Sequence, residues 1–468
     1  MTYGRFRVWW AFTSVFAYAV VLGYTIAPSG LETVYNFGGS PLPILASYQQ
    51  LEGALGMADA GMYLRGGRQV AETGWAKPGY IPFWPPGMFF VYALAILLVT
   101  AEGPILGVVA AITLVFWTAV LSLLFVILRR ALHPLAAFLL PFALLLPPLM
   151  RGFMLDSGMV FSESISTATW CLSLIFVYMA CAQRSVSWAA LGGVFLALAA
   201  YFRAQFQVMV DLSTLLMIFL AAVIGIWNVC ARRTILSVKS IPDFKYIFLS
   251  IVVFHALAAP YRIYVHRTYP YAWAAVDWYY KYVWMLPEQY SPVAGFILQG
   301  GGPAGCVTDR ERCLAMAAEK ERLGKDYIEP NYRNETVKGM LRHPFKWIGY
   351  RMEHFPPYWF TNNGYITPGP PAYLYGSILL FLLTSVPLLA LLAPAGPEKY
   401  FILFQFLVVV SANIGTFMFI HYEVRYFSNL QVATVGLSLL SLPGFWSSVN
   451  QINSGLEKSL PAVLRTFR

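Results

Sequence analysis

Long apolar runs broken by short polar clusters recur along the whole chain. A helix that crosses a bilayer needs about 20 apolar residues. Ten runs approach that length: roughly Val8–Ala27, Ile105–Leu128, Leu135–Met150, Phe161–Cys181, Trp188–Phe202, Phe206–Trp227, Tyr246–Pro260, Tyr373–Ala393, Phe401–Ile420 and Phe427–Trp446. They are continuous rather than alternating, which argues against a β-barrel. The pattern therefore predicts an all-α polytopic membrane protein with about ten transmembrane helices. No clear small-residue cleavage site follows the first run, so it reads as a span rather than a leader.

Met88–Thr100 is apolar but short, and it follows Pro85-Pro86-Gly87. It suits an interfacial or re-entrant helix better than a crossing. Charge supports that choice. Without a crossing there, Arg5, Arg7, Arg129, Arg130, Arg184, Arg232, Arg233, Lys239, Lys245, Lys399, Lys458, Arg465 and Arg468 share one side. The positive-inside rule makes that side cytoplasmic. Two long outer segments follow from this, residues 28–104 and 261–372. The chain divides into an N-terminal transmembrane module (1–260), a helical outer segment (261–372) and C-terminal helices with a tail (373–468).

Composition narrows the reading. Of 468 residues, 58% are apolar and only 12% are charged, too apolar for a soluble domain and too weakly charged for disorder. Five cysteines do not make a disulfide scaffold of so long a chain. The net charge of +10 is spread over the ends of apolar runs, so no nucleic-acid partner is expected. Cys306 and Cys313 share the second outer segment, as a disulfide or as a free pair. Cys171, Cys181 and Cys230 read as small apolar fillers. Asn334-Glu335-Thr336 fits a glycosylation sequon.

Four polar clusters fall on the outer side in this topology. Asp59 opens a short helical pattern that includes Tyr63; it reads either as an N-cap or as a general base at the membrane surface. Glu163, after Ser162, enters an apolar run, where a carboxylate is costly and a functional candidate; Asp156 nearby reads as a loop residue. Arg203 and Gln205 interrupt the next pair of runs, as a snorkelling side chain or as a phosphate clamp. His421-Tyr422-Glu423-Val424-Arg425-Tyr426 is the fourth cluster, either an internal Glu423–Arg425 pair or part of a substrate site.

In combination and order these residues resemble the glycosyltransferases of the GT-C fold, in particular the dolichyl-phosphate-mannose protein mannosyltransferase and lipid A aminoarabinose transferase superfamily. Asp59-x-x-x-Tyr63 followed by Trp84-Pro85-Pro86-Gly87 resembles the family's first outer loop. Ser162-Glu163 resembles its second acidic site. Tyr201-Phe202-Arg203 is similar to a conserved basic segment, without its Pro or Gly. Arg342-His343-Pro344-Phe345-Lys346 with Tyr358-Trp359, and Glu423-x-Arg425-Tyr426, resemble the late motifs. The chain departs from the protein mannosyltransferases in having no acidic residue beside Asp59, and a large C-terminal soluble domain of the oligosaccharyltransferase kind is not expected.

The resemblance implies a sugar donor on a polyprenyl phosphate and a lipid, glycan or protein acceptor. Asp59 and Glu163 would be catalytic. Tyr63, Arg203, His421, Glu423, Arg425 and Tyr426 would bind substrate, with Arg203, His421 and Arg425 facing the phosphate. Inversion at the anomeric carbon is the family expectation. Asp59 and Glu163 leave two options open, a divalent cation or none. The implied location is the bacterial inner membrane, with the site facing the periplasm. The competing reading is a transporter or flippase of lipid-linked sugars, which predicts inverted repeats that the sequence does not display.

Overall fold

The computed structural model describes residues 14–22, 34–35, 41–42, 48–55, 59–74, 85–99, 103–145, 162–230, 244–268, 309–328, 332–360, 370–394, 397–419 and 427–459. Helix α1 covers residues 14–22. A two-residue antiparallel ladder pairs β1 (Val34–Tyr35) with β2 (Pro41–Leu42), an addition to the all-helical expectation. Three short helices follow: α2 (Tyr48–Leu55), α3 (Asp59–Thr73) and α4 (Gly87–Val99). Then come α5 (Ile105–Leu128), α6 (Pro134–Leu139), α7 (Ser162–Gln183), α8 (Val186–Phe202), α9 (Ala204–Cys230) and α10 (Phe244–Thr268). The second outer segment holds α11 (Arg310–Leu323), α12 (Tyr332–Arg342) and α13 (Pro344–Phe360). Helices α14 (Pro370–Leu392), α15 (Pro397–Phe419) and α16 (Phe427–Ser459) close the described chain.

Among the described residues, six helices are long and apolar enough to cross a membrane, and four apolar helices are shorter. One apolar core runs through both ends of the chain, from Tyr18 to Leu440. Helix α7 lies at its centre and is enclosed almost throughout. That position explains its composition. Ser164, Ser166, Thr167, Thr169 and Ser173 have no lipid to face, and each finds an oxygen or nitrogen partner within the protein. Helices at the rim turn Val115, Leu215, Phe219 and Phe381 outward, as lipid contact requires.

Three predicted boundaries are corrected. The run read as a span over Leu135–Met150 is a six-residue α-helix followed by a 3-10 turn over Leu140–Leu145. Pro141 lacks an N–H, and its ring clashes with the carbonyl one turn back, so the α-helix cannot continue. The span read as ending at Pro260 continues to Thr268 with Pro260 inside the helix, and past the proline Tyr261 and Val265 are buried in the core. The last helix runs thirteen residues past its predicted end at Trp446 (459 − 446), since nothing in Ser447–Ser459 breaks it.

Helix α4 is 13 residues long, about 20 Å, short of the hydrocarbon thickness. It packs closely on α3, where a Cβ on Gly66 would stand 2.7 Å from Phe89. In the second outer segment, Glu335 pairs with Arg312 and Lys338 and ties α12 to α11. Cys313 is buried and disulfide-bonded, whereas Cys306 lies outside the described residues. Cys171 and Cys181 are buried free thiols, as fillers would be. Thr336 of the sequon is fully buried within α12.

Candidate active site

Helices α8 and α9 would form one continuous rod but for Arg203. Its backbone is extended (φ −152°, ψ 122°), while its N–H still donates to Ala199 O at 2.9 Å and closes α8. The break turns the side chain toward the start of α7. There Arg203 Nη1 meets Glu163 Oε1 at 2.6 Å. Glu163 is almost completely buried, and the Arg203 side chain is only 12% exposed. Two charges this well shielded are stabilised by each other; either one alone would be costly at this depth.

Ser162 organises the pair. Its hydroxyl lies 3.4 Å from Glu163 Oε2 and donates to it, and it accepts from Arg203 Nη1 at 3.5 Å. The Tyr63 hydroxyl donates to the same Ser162 oxygen at 3.3 Å. Arg203 Nε donates to Gln205 Oε1 at 3.3 Å. The first, second and third sequence clusters thus converge on one point through Tyr63, Glu163 and Arg203. Asp59 is the first residue of α3, one helical turn before Tyr63; its side chain lies outside the described residues. Asp156, His421, Glu423, Arg425 and Tyr426 also lie outside them. The start of α16, which follows 420–426, is close to the site: Thr167 Oγ1, one turn past Glu163, is 2.6 Å from Asn429 Oδ1.

Small residues allow this convergence. Gly87 begins α4 directly against the end of α8, where a Cβ would lie 2.7 Å from Tyr201 O and 2.6 Å from Phe202. Trp117 of α5 donates its indole N–H to Ser164 Oγ at 3.0 Å and fixes the other side of α7. Beside α3, burial raises the pKa of the Tyr48 hydroxyl, opposed by a hydrogen bond from Arg68.

In sequence, no family model and no curated protein matches the chain. In structure, the oligosaccharyltransferase of Archaeoglobus fulgidus in the apo form matches with a TM-score of 0.50 at 13% identity, over 92% of this chain and 50% of that one. The same enzyme tethered to an acceptor peptide containing the NVT sequon matches at 0.50 and 14% identity, over 97% and 51%. The chain has the GT-C fold. It spans about half the length of these archaeal structures. ArnT from Cupriavidus metallidurans bound to undecaprenyl phosphate covers 96% of this chain and 80% of its own, at a TM-score of 0.36 and 15% identity, too low to add to the assignment.

Within this GT-C bundle, two polar features escaped the sequence reading. Arg262 was placed in the outer segment, but it lies on α10 and pairs with Asp211 of α9 at 2.9 Å. It also donates to His255 Nδ1 at 3.1 Å, and with the Gln207 amide turned so that its oxygen faces the guanidinium, that oxygen accepts from Nη2 and Nε at 3.2 and 3.1 Å. Arginine only donates, so His255 Nδ1 accepts and the ring proton sits on Nε2. That proton faces Thr214 Oγ1 at 3.0 Å, whose own hydroxyl donates to Val210 O. The signal was present: Asp211 is a lone acid in an apolar run. The second feature is Arg351, fully buried with Trp347, Tyr350 and Phe417 rings 4.8, 5.9 and 5.7 Å from its guanidinium carbon. It packs against the end of α15 from which residues 420–426 depart. Nothing in the charged surroundings of Arg351 marks it in sequence.

Among the described residues, no three His, Cys, Asp or Glu side chains gather as a metal site. The Glu163 carboxylate pairs through Oε1 with a cation, the Arg203 guanidinium, and its Oε2 accepts from Ser162.

Proposed function

We propose that this chain is an integral-membrane glycosyltransferase that moves a sugar from a polyprenyl phosphate to a hydroxyl of a lipid, glycan or protein acceptor. The observation that carries this reading is the convergence of Tyr63, Ser162, Glu163 and Arg203 at one end of a GT-C bundle. In the proposed reaction the acceptor oxygen attacks the anomeric carbon and its proton passes to the Asp59 carboxylate. The bond from that carbon to the phosphate oxygen breaks, its electron pair stays on the phosphate, and the configuration inverts. Arg203, held by Glu163, with His421 and Arg425 would face the phosphate, where developing negative charge needs donors and positive charge. Glu163 in this scheme is ionised and positions Arg203. Tyr63, Glu423 and Tyr426 would line the sugar.

The Cys313 disulfide supports placing this end of the bundle in an oxidising compartment, the periplasm of a bacterial inner membrane. The three-part division belongs to the same proposal, with its boundaries moved from residue 260 to the end of α10 at Thr268 and from residue 372 to the start of α14 at Pro370. The test is turnover by the purified full chain in nanodiscs, supplied with a panel of polyprenyl-phosphate sugars and envelope lipid acceptors. Release of polyprenyl phosphate with acceptor glycosylation is expected. Movement of an intact sugar lipid across proteoliposomes without cleavage would replace this reading with the flippase.

A further inference from the structure

Helices α12 and α13 meet at His343 with their backbone bonds carried through: His343 N–H donates to Gly339 O, and Trp347 N–H to His343 O, both at 3.1 Å. One face of α13 is docked on the bundle. The Trp347 indole donates to Met418 O, at the end of α15, at 2.6 Å. The Trp359 indole donates to Gly376 O of α14, and Gln431 of α16 donates back to Trp359 O, both at 2.9 Å. The two tryptophans are twelve residues apart (359 − 347), about 18 Å along the helix. Helix α13 therefore lies across the ends of α14, α15 and α16.

A second face is bare. Val337, Leu341, Phe345, Ile348 and Met352 are all exposed, Leu341 by 78% and Phe345 by 85%. They follow one another by four, four, three and four residues, one continuous stripe on a helical surface. Lys338, Arg342 and Lys346 each follow a member of the stripe by one residue and form an exposed basic row about 100° round the helix. Glu335 and Asp309 draw on two of these bases, at 3.2 Å from Lys338 and 4.0 Å from Arg342.

We propose that the Val337–Met352 stripe rests in the acyl–headgroup boundary of the leaflet on the site side, with Lys338, Arg342 and Lys346 at the level of the lipid phosphates. A row of five large apolar side chains in water would be an adhesive patch. The same row beside basic residues, with α13 laid across the ends of α14, α15 and α16, is the arrangement of an interfacial anchor. Its basic border matches anionic headgroups. Through Trp347 and Trp359, the anchor would hold the ends of α14 and α15 at a fixed height in the leaflet. This inference does not depend on the reaction proposed above.

The test uses the full chain in nanodiscs of phosphatidylcholine and phosphatidylglycerol. Cys230→Ser is the background, with the two buried thiols and the disulfide kept. Single variants Leu341→Cys, Phe345→Cys, Ile348→Cys and Met352→Cys carry a bimane label, with Lys338→Cys and Glu353→Cys as controls. All six positions are exposed, so the fold should tolerate them. Stripe labels should lose fluorescence to lipids brominated high in the acyl chain and resist aqueous iodide, and the controls should show the reverse. Iodide quenching along the stripe would overturn the proposal. Protection of the stripe from both quenchers would also overturn it, since a protein surface such as a second copy would then be the occupant.

Discussion

Arg203 Nη1 and Glu163 Oε1 approach to 2.6 Å across the break between α8 and α9, with Ser162 shared between them. Arg203→Met leaves a buried carboxylate with its main counter-charge gone. That change should cost about 3–5 kcal/mol of stability. Glu163→Gln combined with Arg203→Met should recover a large part of this in thermal unfolding, yet remain inactive in sugar transfer. Full activity in the double variant would show that the pair serves only the fold.

Asp59 opens the helix whose next turn carries Tyr63, and it is the proposed proton acceptor. Asp59→Asn preserves shape and N-capping ability, so unfolding temperature should change little. Turnover should fall by about 10²–10⁴-fold, the usual scale for a general base. Wild-type turnover would leave Asp59 as a helix cap.

Gly87 has no room for a side chain between α4 and the end of α8. Gly87→Val should push α4 away from Tyr201 and Phe202. The expected cost is about 1–3 kcal/mol of stability, the usual penalty for overpacking. Because Arg203 follows Phe202 directly, turnover should drop further than stability does. Equal behaviour of Gly87→Val and the parent protein in both assays would separate this contact from the site.

The chain has five cysteines, and Cys313 is disulfide-bonded. With Cys306 as the expected partner, the denatured chain should take up three maleimides without reductant and five with it (5 − 2 = 3). Mass spectrometry reads this directly. If Cys306→Ser leaves Cys313 protected from maleimide, the partner is another cysteine.

Spans and site residues were legible in sequence to different degrees. Apolar runs such as Ile105–Leu128 state their length and burial directly, and the structure keeps that helix to the residue. Glu163 and Arg203 were legible as individuals because charge inside an apolar run is costly, whoever the partner is. Their pairing was not legible, because it depends on how α7 and the α8–α9 break face each other, 40 residues apart (203 − 163). Pro141 and Pro260 show the limit of local rules: both can end a helix, but only at Pro141 does the α-helix end. Arg262 was misplaced for that reason, since ending the helix at Pro260 detached it from Asp211. Arg351 is enclosed by rings from α13 and α15, a context that no sequence window contains.

Trp117 is the thirteenth of the 24 residues of α5, and its indole reaches Ser164, the neighbour of Glu163. Helix α8, which delivers Arg203, is 17 residues long, about 26 Å against a hydrocarbon thickness of about 30 Å. In the topology proposed above, a helix this much shorter than the bilayer would set the ion pair below the headgroup level and thin the membrane locally. In the proposed reaction, a donor anchored by its tail would reach such a recess sideways, through the leaflet, without lifting its phosphate into water. The acceptor would have to reach the same depth from the aqueous side. On that proposal bilayer thickness would be a determinant of turnover, with thicker lipids opposing the local thinning and so the approach to Arg203.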